Sequence, residues 1–147
     1  MKILVINGPN LNMLGKRNKT IYGDNTLTEL ETMLKDQGKK LRTEVVVFQA
    51  NSEGQIIDFI QANSPQAHGI IINPGALAHY GFSLRDALED TCLPIIEVHI
   101  SNIYARKEDW RTESVIAPIA KGQIVGLGFQ GYVAALQILA EKSKRKR

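Results

Sequence analysis

Arg17 and Tyr22 stand five positions apart in a polar loop that opens straight off an apolar run, Ile3 to Ile6. The loop reads Asn-Gly-Pro-Asn-Leu-Asn at 7–12, then Leu14-Gly15-Lys16-Arg17, then Tyr22-Gly23. A fixed guanidinium beside a phenol favours the phenolate, so this pair can turn a tyrosine into a base. A second group of interest is Glu97 and His99, at the end of another apolar run. Side chains at i and i+2 share one face of a strand. A carboxylate there can orient the imidazole and raise its affinity for a proton. A satisfied core histidine is the structural alternative. Asn10, Asn73-Pro74-Gly75 and His79 complete the set. For the asparagines the plain reading is a turn residue after a strand, and for His79 an exposed loop histidine. His68 precedes a strand, at the opposite edge, and receives no role.

The elements that must position these groups are legible as alternating patterns. Five short Val- and Ile-rich runs read as strands: Ile3–Ile6, Glu44–Phe48, Gly69–Asn73, Ile95–Ile100 and Gln123–Leu127. Apolar residues on consecutive positions fit strands buried on both faces, as in a parallel sheet. Helical patterns separate them. Thr26 and Glu29 have capping-box spacing, with Leu27, Leu30 and Leu34 on one face and Gly38 as the expected end. Ser52 and Gln55 repeat the capping spacing. Further helices are expected over Phe82–Thr91, near Thr112–Ile116, and over Phe129–Lys142. Strand and helix in alternation imply right-handed crossovers and a doubly wound α/β sheet. Five strands favour the flavodoxin-like order 2-1-3-4-5, with ligands beyond the carboxyl ends of the strands. In that order Asn10, Asn73, His79 and His99 converge on one crevice. The loop from Leu11 to Gly23 is long for an α/β connection, and its charges give it the character of a lid.

The chain has 147 residues, 44% hydrophobic and 22% charged, which suits one soluble domain. Its formal charge of +3 belongs to the end: five of the last six residues, 142–147, are Lys or Arg. Without them 13 basic residues face 15 acidic ones, so the body, 1–141, is slightly acidic. A frayed, solvated, disordered tail is expected there, with nucleic-acid contact as the rival reading. One cysteine, Cys92, excludes an intramolecular disulfide framework and a Cys-only metal site; it is expected to be a small buried filler. Neither a signal peptide nor a run of about 20 apolar residues is present, which fits a cytoplasmic protein without membrane contact. Gly126-Leu127-Gly128-Phe129-Gln130-Gly131 formally matches a dinucleotide fingerprint. No strand follows it, and the chain ends too soon for the expected acidic partner. A metal held by Glu97, His99 and His79 is conceivable, but the spacings match no common zinc pattern. A flavin carrier would need a Ser/Thr-rich phosphate turn after the first strand, and Gly8-Pro9-Asn10-Leu11 is not one.

Taken in order, these motifs resemble the type II 3-dehydroquinate dehydratases over nearly the whole chain, stopping before the basic tail. The matching pieces are the 7–12 loop with Leu-Gly-x-Arg and Tyr-Gly, Asn73-Pro74-Gly75-Ala76 with His79, and Ser83-Leu84-Arg85-Asp86-Ala87. Glu97-Val98-His99-Ile100-Ser101-Asn102 and Ala105-Arg106 follow. The resemblance implies loss of water from 3-dehydroquinate by anti elimination through an enolate, with no cofactor and no metal. It implies Tyr22 as base, Arg17 as its electrostatic partner on the lid, His99 as acid and Glu97 as its orienting carboxylate. Asn10 would hold a water at the enolate oxygen. Asn73, His79 and Arg111 would grip the substrate hydroxyls, with Gly75 beside them. The backbone amides of Ile100 and Ser101 would receive the carboxylate, and Arg106 would be a second lid arginine. Asp86 would come from a neighbouring subunit, in trimers that assemble to a dodecamer. Two features depart from the pattern: Asn18 and Lys19 follow Arg17 where Glu-Pro is common, and Arg111 lies five residues after Arg106 rather than four.

Overall fold

The computed structural model describes residues 1–16 and 19–144, with residues 19, 22 and 142–144 described in backbone only. Arg17, the side chain of Tyr22 and the end of the basic tail, 145–147, thus lie outside the described residues. Five strands form one parallel sheet: β1 (Lys2–Asn7), β2 (Glu44–Gln49), β3 (Gly69–Asn73), β4 (Ile95–His99) and β5 (Gly122–Val125). Their order is β2-β1-β3-β4-β5, the expected doubly wound arrangement. β1 pairs in register with β2 on one side and β3 on the other, so Asn7 lies beside both Gln49 and Asn73.

Five helices are present among the described residues: α1 (Lys19–Tyr22), α2 (Leu27–Leu41), α3 (Glu53–Asn63), α4 (Phe82–Asp90) and α5 (Gly128–Lys144). Successive strand residues point to opposite faces, so the strands feed two cores. Ile3, Val5, Ile71 and Val98 pack under α2 and α5 with Leu30, Leu34, Tyr132 and Leu136. Leu4, Ile6, Ile70 and Ile72 pack under α3 and α4 with Ile56, Ile60, Leu84 and Leu88. Continuous apolar runs are thus explained by helices on both faces.

Local signals hold at some ends and fail at others. Thr26 and Glu29 form a complete capping box at α2. Ser52 is the N-cap of α3 but makes no side-chain cap bond; instead Glu53 Oε1 accepts from the Leu84 backbone N–H, 3.0 Å, at the start of α4. Gly38 does not end α2, which runs on to Leu41 and is capped by Arg42 in the left-handed region. Its lack of a side chain serves packing, since a Cβ there would lie 2.6 Å from Val45 Cγ2 and 2.7 Å from the Thr43 carbonyl oxygen. The helix expected near Thr112–Ile116 is absent. Two 3₁₀ turns, Asp109–Thr112 and Ala117–Ile119, stand on either side of that span. Ser114 Oγ takes the N–H groups of Ile116 and Ala117, which gives those amides a side-chain partner in place of a helical carbonyl. β4 stops at His99 rather than Ile100, and β5 stops at Val125 because Gly126 turns into the left-handed region. Cys92 is exposed, at φ 53, and fills no core. The loop after β1 is only partly lid-like: Leu11 and Leu14 are buried in the core, and a single helical turn, α1, lies beyond.

Candidate active site

The loops after β1, β3 and β4 enclose a crevice of about 160 Å³ at the carboxyl edge of the sheet. The first two loops are pressed together. A Cβ on Gly8 would sit 2.3 Å from the Pro74 carbonyl oxygen, so only glycine permits this approach. The Gly8 N–H donates to the Asn73 carbonyl at 2.8 Å, which ties the two loops by their backbones. Asn10 takes a left-handed conformation, φ 68, which asparagine tolerates better than most residues. Its backbone N–H donates to Asn51 Oδ1 at 2.9 Å, and Gln49 Nε2 donates to the same oxygen at 3.0 Å. Asn10 is thereby held at the crevice wall by the loop after β2.

From β4, Glu97 and His99 meet as the i, i+2 spacing requires. Both are buried, and His99 Nε2 donates to Glu97 Oε1 at 2.6 Å. That bond leaves Nδ1 as the ring nitrogen for the crevice, which His99 lines. A carboxylate in a 0% exposed position needs donors. It has a further one in Ser114, whose Oγ lies 2.8 Å from Oε1 and 2.9 Å from Oε2.

From β3, Asn73 is joined to a buried network. Its Nδ2 donates to Tyr132 Oη at 2.9 Å, and Tyr132 Oη donates to Asn7 Oδ1 at 2.7 Å. Asn73 Oδ1 accepts from the Gly75 N–H at 3.2 Å. Tyr132 is fully buried, and burial pushes its phenol well above the usual tyrosine range, the Asn73 bond offsetting only part of this. The group is therefore a neutral hydroxyl at physiological pH.

The remaining wall carries cations and an imidazole. Arg106 Nη2 donates to Ser101 Oγ at 3.0 Å. Arg111 lies over the Trp110 ring, 4.2 Å from its centroid, and pairs with Glu108 at 3.4 Å. Trp110 meets the His79 ring edge-on at 4.9 Å. His79 Nδ1 lies 2.6 Å from the Glu113 carbonyl oxygen, which can only accept, so Nδ1 carries the proton.

The crevice thus brings together Asn10, Asn73, Gly75, His79 and His99, with Ile100, Ser101, Arg106 and Arg111 along its wall. Glu97 stands behind His99. Asp86 does not join them: it is exposed on α4. Arg17 and the Tyr22 ring lie outside the described residues, so their place relative to His99 is not part of this geometry. Among the described residues no group of three His, Cys, Asp or Glu side chains could hold a metal ion, and no helix is long and apolar enough to cross a membrane. Sequence reasoning missed Ser114, Tyr132 and Asn51. Ser114 and Tyr132 reach the site across 17 and 59 residues, and Asn51 across 41. Local spacing carries no signal for any of them.

A parallel α/β sheet that sets a carboxylate-bonded histidine over a small polar crevice is the arrangement of an α/β enzyme site, and an imidazole so held can take part in acid–base chemistry. The model of the family "Dehydroquinase class II" matches residues 1–140. A 3-dehydroquinate dehydratase from Roseiflexus castenholzii is 55% identical over 139 residues, covering 95% of this chain and 88% of that one. One from Bacillus subtilis is 50% identical over 136 residues, covering 92% and 91%. The crystal structure of type II dehydroquinase from Butyrivibrio crossotus superposes with a TM-score of 0.92 at 49% identity, covering 95% of this chain and 97% of that one. The chain belongs to the type II 3-dehydroquinate dehydratase family of lyases.

Proposed function

We propose that this protein converts 3-dehydroquinate to 3-dehydroshikimate in the cytoplasm, as a step of the shikimate pathway, by anti elimination through an enolate. The observation that carries the reading is the buried His99–Glu97 pair at the crevice. In the proposed sequence, the Tyr22 phenolate takes the proton alpha to the ketone, and the C–H electron pair moves to the carbonyl oxygen. The enolate then collapses, the ketone re-forms, the C–O bond at the beta carbon breaks, and His99 protonates the departing hydroxyl to water. Proton return from the Tyr22 phenol to His99 through solvent resets the site. The substrate's own ketone is the electron sink, so the route calls for no cofactor and no metal.

Arg17, with Arg106, favours the phenolate. A free tyrosine ionises near 10, so a phenolate at neutral pH depends on positive charge held beside it. One guanidinium about 4 Å away supplies roughly 4 kcal/mol at an effective dielectric near 20. Burial opposes it, so two arginines suit the task better than one. Glu97 orients His99 through the bond to Nε2. Asn10 holds the water that stabilises the enolate oxygen. Asn73, His79 and Arg111, with Gly75, grip the hydroxyls, and the amides of Ile100 and Ser101 take the carboxylate. The protein assembles as trimers that build a dodecamer, with Asp86 given to a neighbour's site. Exposure of Asp86 outside its own chain's crevice supports that part. The test is growth of conjugated-enone absorbance when the purified protein meets 3-dehydroquinate and a chelator. A flat trace removes the assignment.

A further inference from the structure

Ser114 sits on the segment between the two 3₁₀ turns, far in sequence from the strand that carries Glu97. Its hydroxyl oxygen accepts two backbone N–H groups, from Ile116 at 3.1 Å and Ala117 at 3.0 Å. A hydroxyl has one proton and two acceptor directions. With both acceptor directions taken, the proton must point at the Glu97 carboxylate, 2.8 and 2.9 Å away. Among the described residues the donors to this fully buried carboxylate are His99, on Oε1, and Ser114, the only one within reach of Oε2. We propose that Ser114 is a positioning residue for proton delivery: it fixes the Glu97 carboxylate, and through it the His99 ring. This rests on the reading of His99 as the acid.

The arrangement is directional. A hydroxyl locked as donor leaves the carboxylate oxygens as acceptors, one for each neighbour. Glu97 then keeps its bond to Nε2, and His99 presents Nδ1 to the crevice in one orientation. The neighbouring bonds serve a different group. Glu113 O holds His79, and the Val115 N–H donates to the Ala78 carbonyl at 2.7 Å. Those backbone contacts hold Glu113 and Val115 directly, while the Ser114 Oγ bonds to Ile116 and Ala117 shape the chain beyond them. Loss of the hydroxyl should therefore be read in turnover, and loss of the segment's shape in substrate affinity.

The experiment is a double-mutant cycle of Ser114→Ala and Glu97→Gln, with kcat and KM for 3-dehydroquinate and a thermal unfolding curve for each variant. Loss of one hydrogen bond to a charged group predicts that Ser114→Ala lowers kcat about ten- to a hundredfold. KM should stay within about threefold, since the interaction is one that acts on the reacting state. In the Glu97→Gln background the same change should lower kcat by less than about threefold, because coupled residues do not add. Ser114→Thr, which keeps the hydroxyl, should restore most of the turnover. Parent kcat in Ser114→Ala, a loss confined to KM, or an undiminished loss on top of Glu97→Gln would each overturn the proposal. If the alanine variant does not fold, Ser114→Cys carries the test, since its thiol donates only weakly; parent kcat there overturns it equally. Parent kcat in Glu97→Gln alone would instead remove the reading of the His99 pair itself.

Discussion

Replacing Tyr132 by phenylalanine keeps a ring in the core and removes one hydroxyl that two asparagines share. Tyr132 is 0% exposed, donates to Asn7 at 2.7 Å and accepts from Asn73 at 2.9 Å. Each buried group left without its partner costs about 1–3 kcal/mol, so the two together should cost about 2–6 kcal/mol of stability at pH 7. For a chain of this length that corresponds to a fall in Tm of roughly 5–20 °C. The loss should shrink at high pH, with a definite sign. Burial raises the folded phenol above its unfolded value near 10. Below that value both states hold the proton and Tyr132 makes no pH-dependent contribution. Above it the unfolded chain releases the proton first, so the stability from the buried neutral phenol is lost as pH rises towards the folded value. Phenylalanine has no such term. Between pH 7 and pH 11 the difference between parent and variant should therefore narrow by about 1 kcal/mol. Urea unfolding of both proteins at the two pH values measures it, and the subtraction cancels every other titrating group. A difference that is constant or grows with pH would refute the reasoning. Asn73 also lines the crevice, so KM for the substrate should rise in the same variant.

Three further outcomes follow from the same geometry and chemistry. Gly8→Ala places a Cβ 2.3 Å from the Pro74 carbonyl oxygen, and the resulting overpacking should cost about 1–3 kcal/mol, read as a lowered urea midpoint. Tyr22→Phe keeps the ring and loses the base, so turnover should collapse; dehydration at the parent rate would exclude Tyr22 as the base. Arg17→Ala should lower kcat far more than it raises KM, and near-normal turnover would take Arg17 out of the mechanism.

How much could be read in advance differs between the fold and the site. The strand order followed from five apolar runs separated by helical patterns, because a parallel sheet covered on both faces leaves few other solutions. The His99–Glu97 bond was legible because i and i+2 on a strand must share a face. Convergence of Asn10, Asn73 and His79 followed from topology, since adjacent strands deliver their carboxyl ends to one edge. Capping spacing was less reliable. It held for Thr26, where its side chain and that of Glu29 each take the other's backbone N–H, and failed for Ser52 with Gln55, where the serine side chain makes no cap bond. Gly38 carried the usual sign of a helix end, yet Val45 and Thr43 press against it from the next strand.

The sequence by itself determined that Glu97 and His99 would share one face of a strand and that Asn10, Asn73, His79 and His99 would gather at one edge, because those properties depend on local period and strand order. Only the tertiary structure decided what holds those groups still. Ser114 reaches Glu97, Tyr132 reaches Asn7 and Asn73, and Asn51 reaches Asn10 across distant stretches of chain. Such bonds arise from packing of whole elements, and no spacing along the chain encodes them.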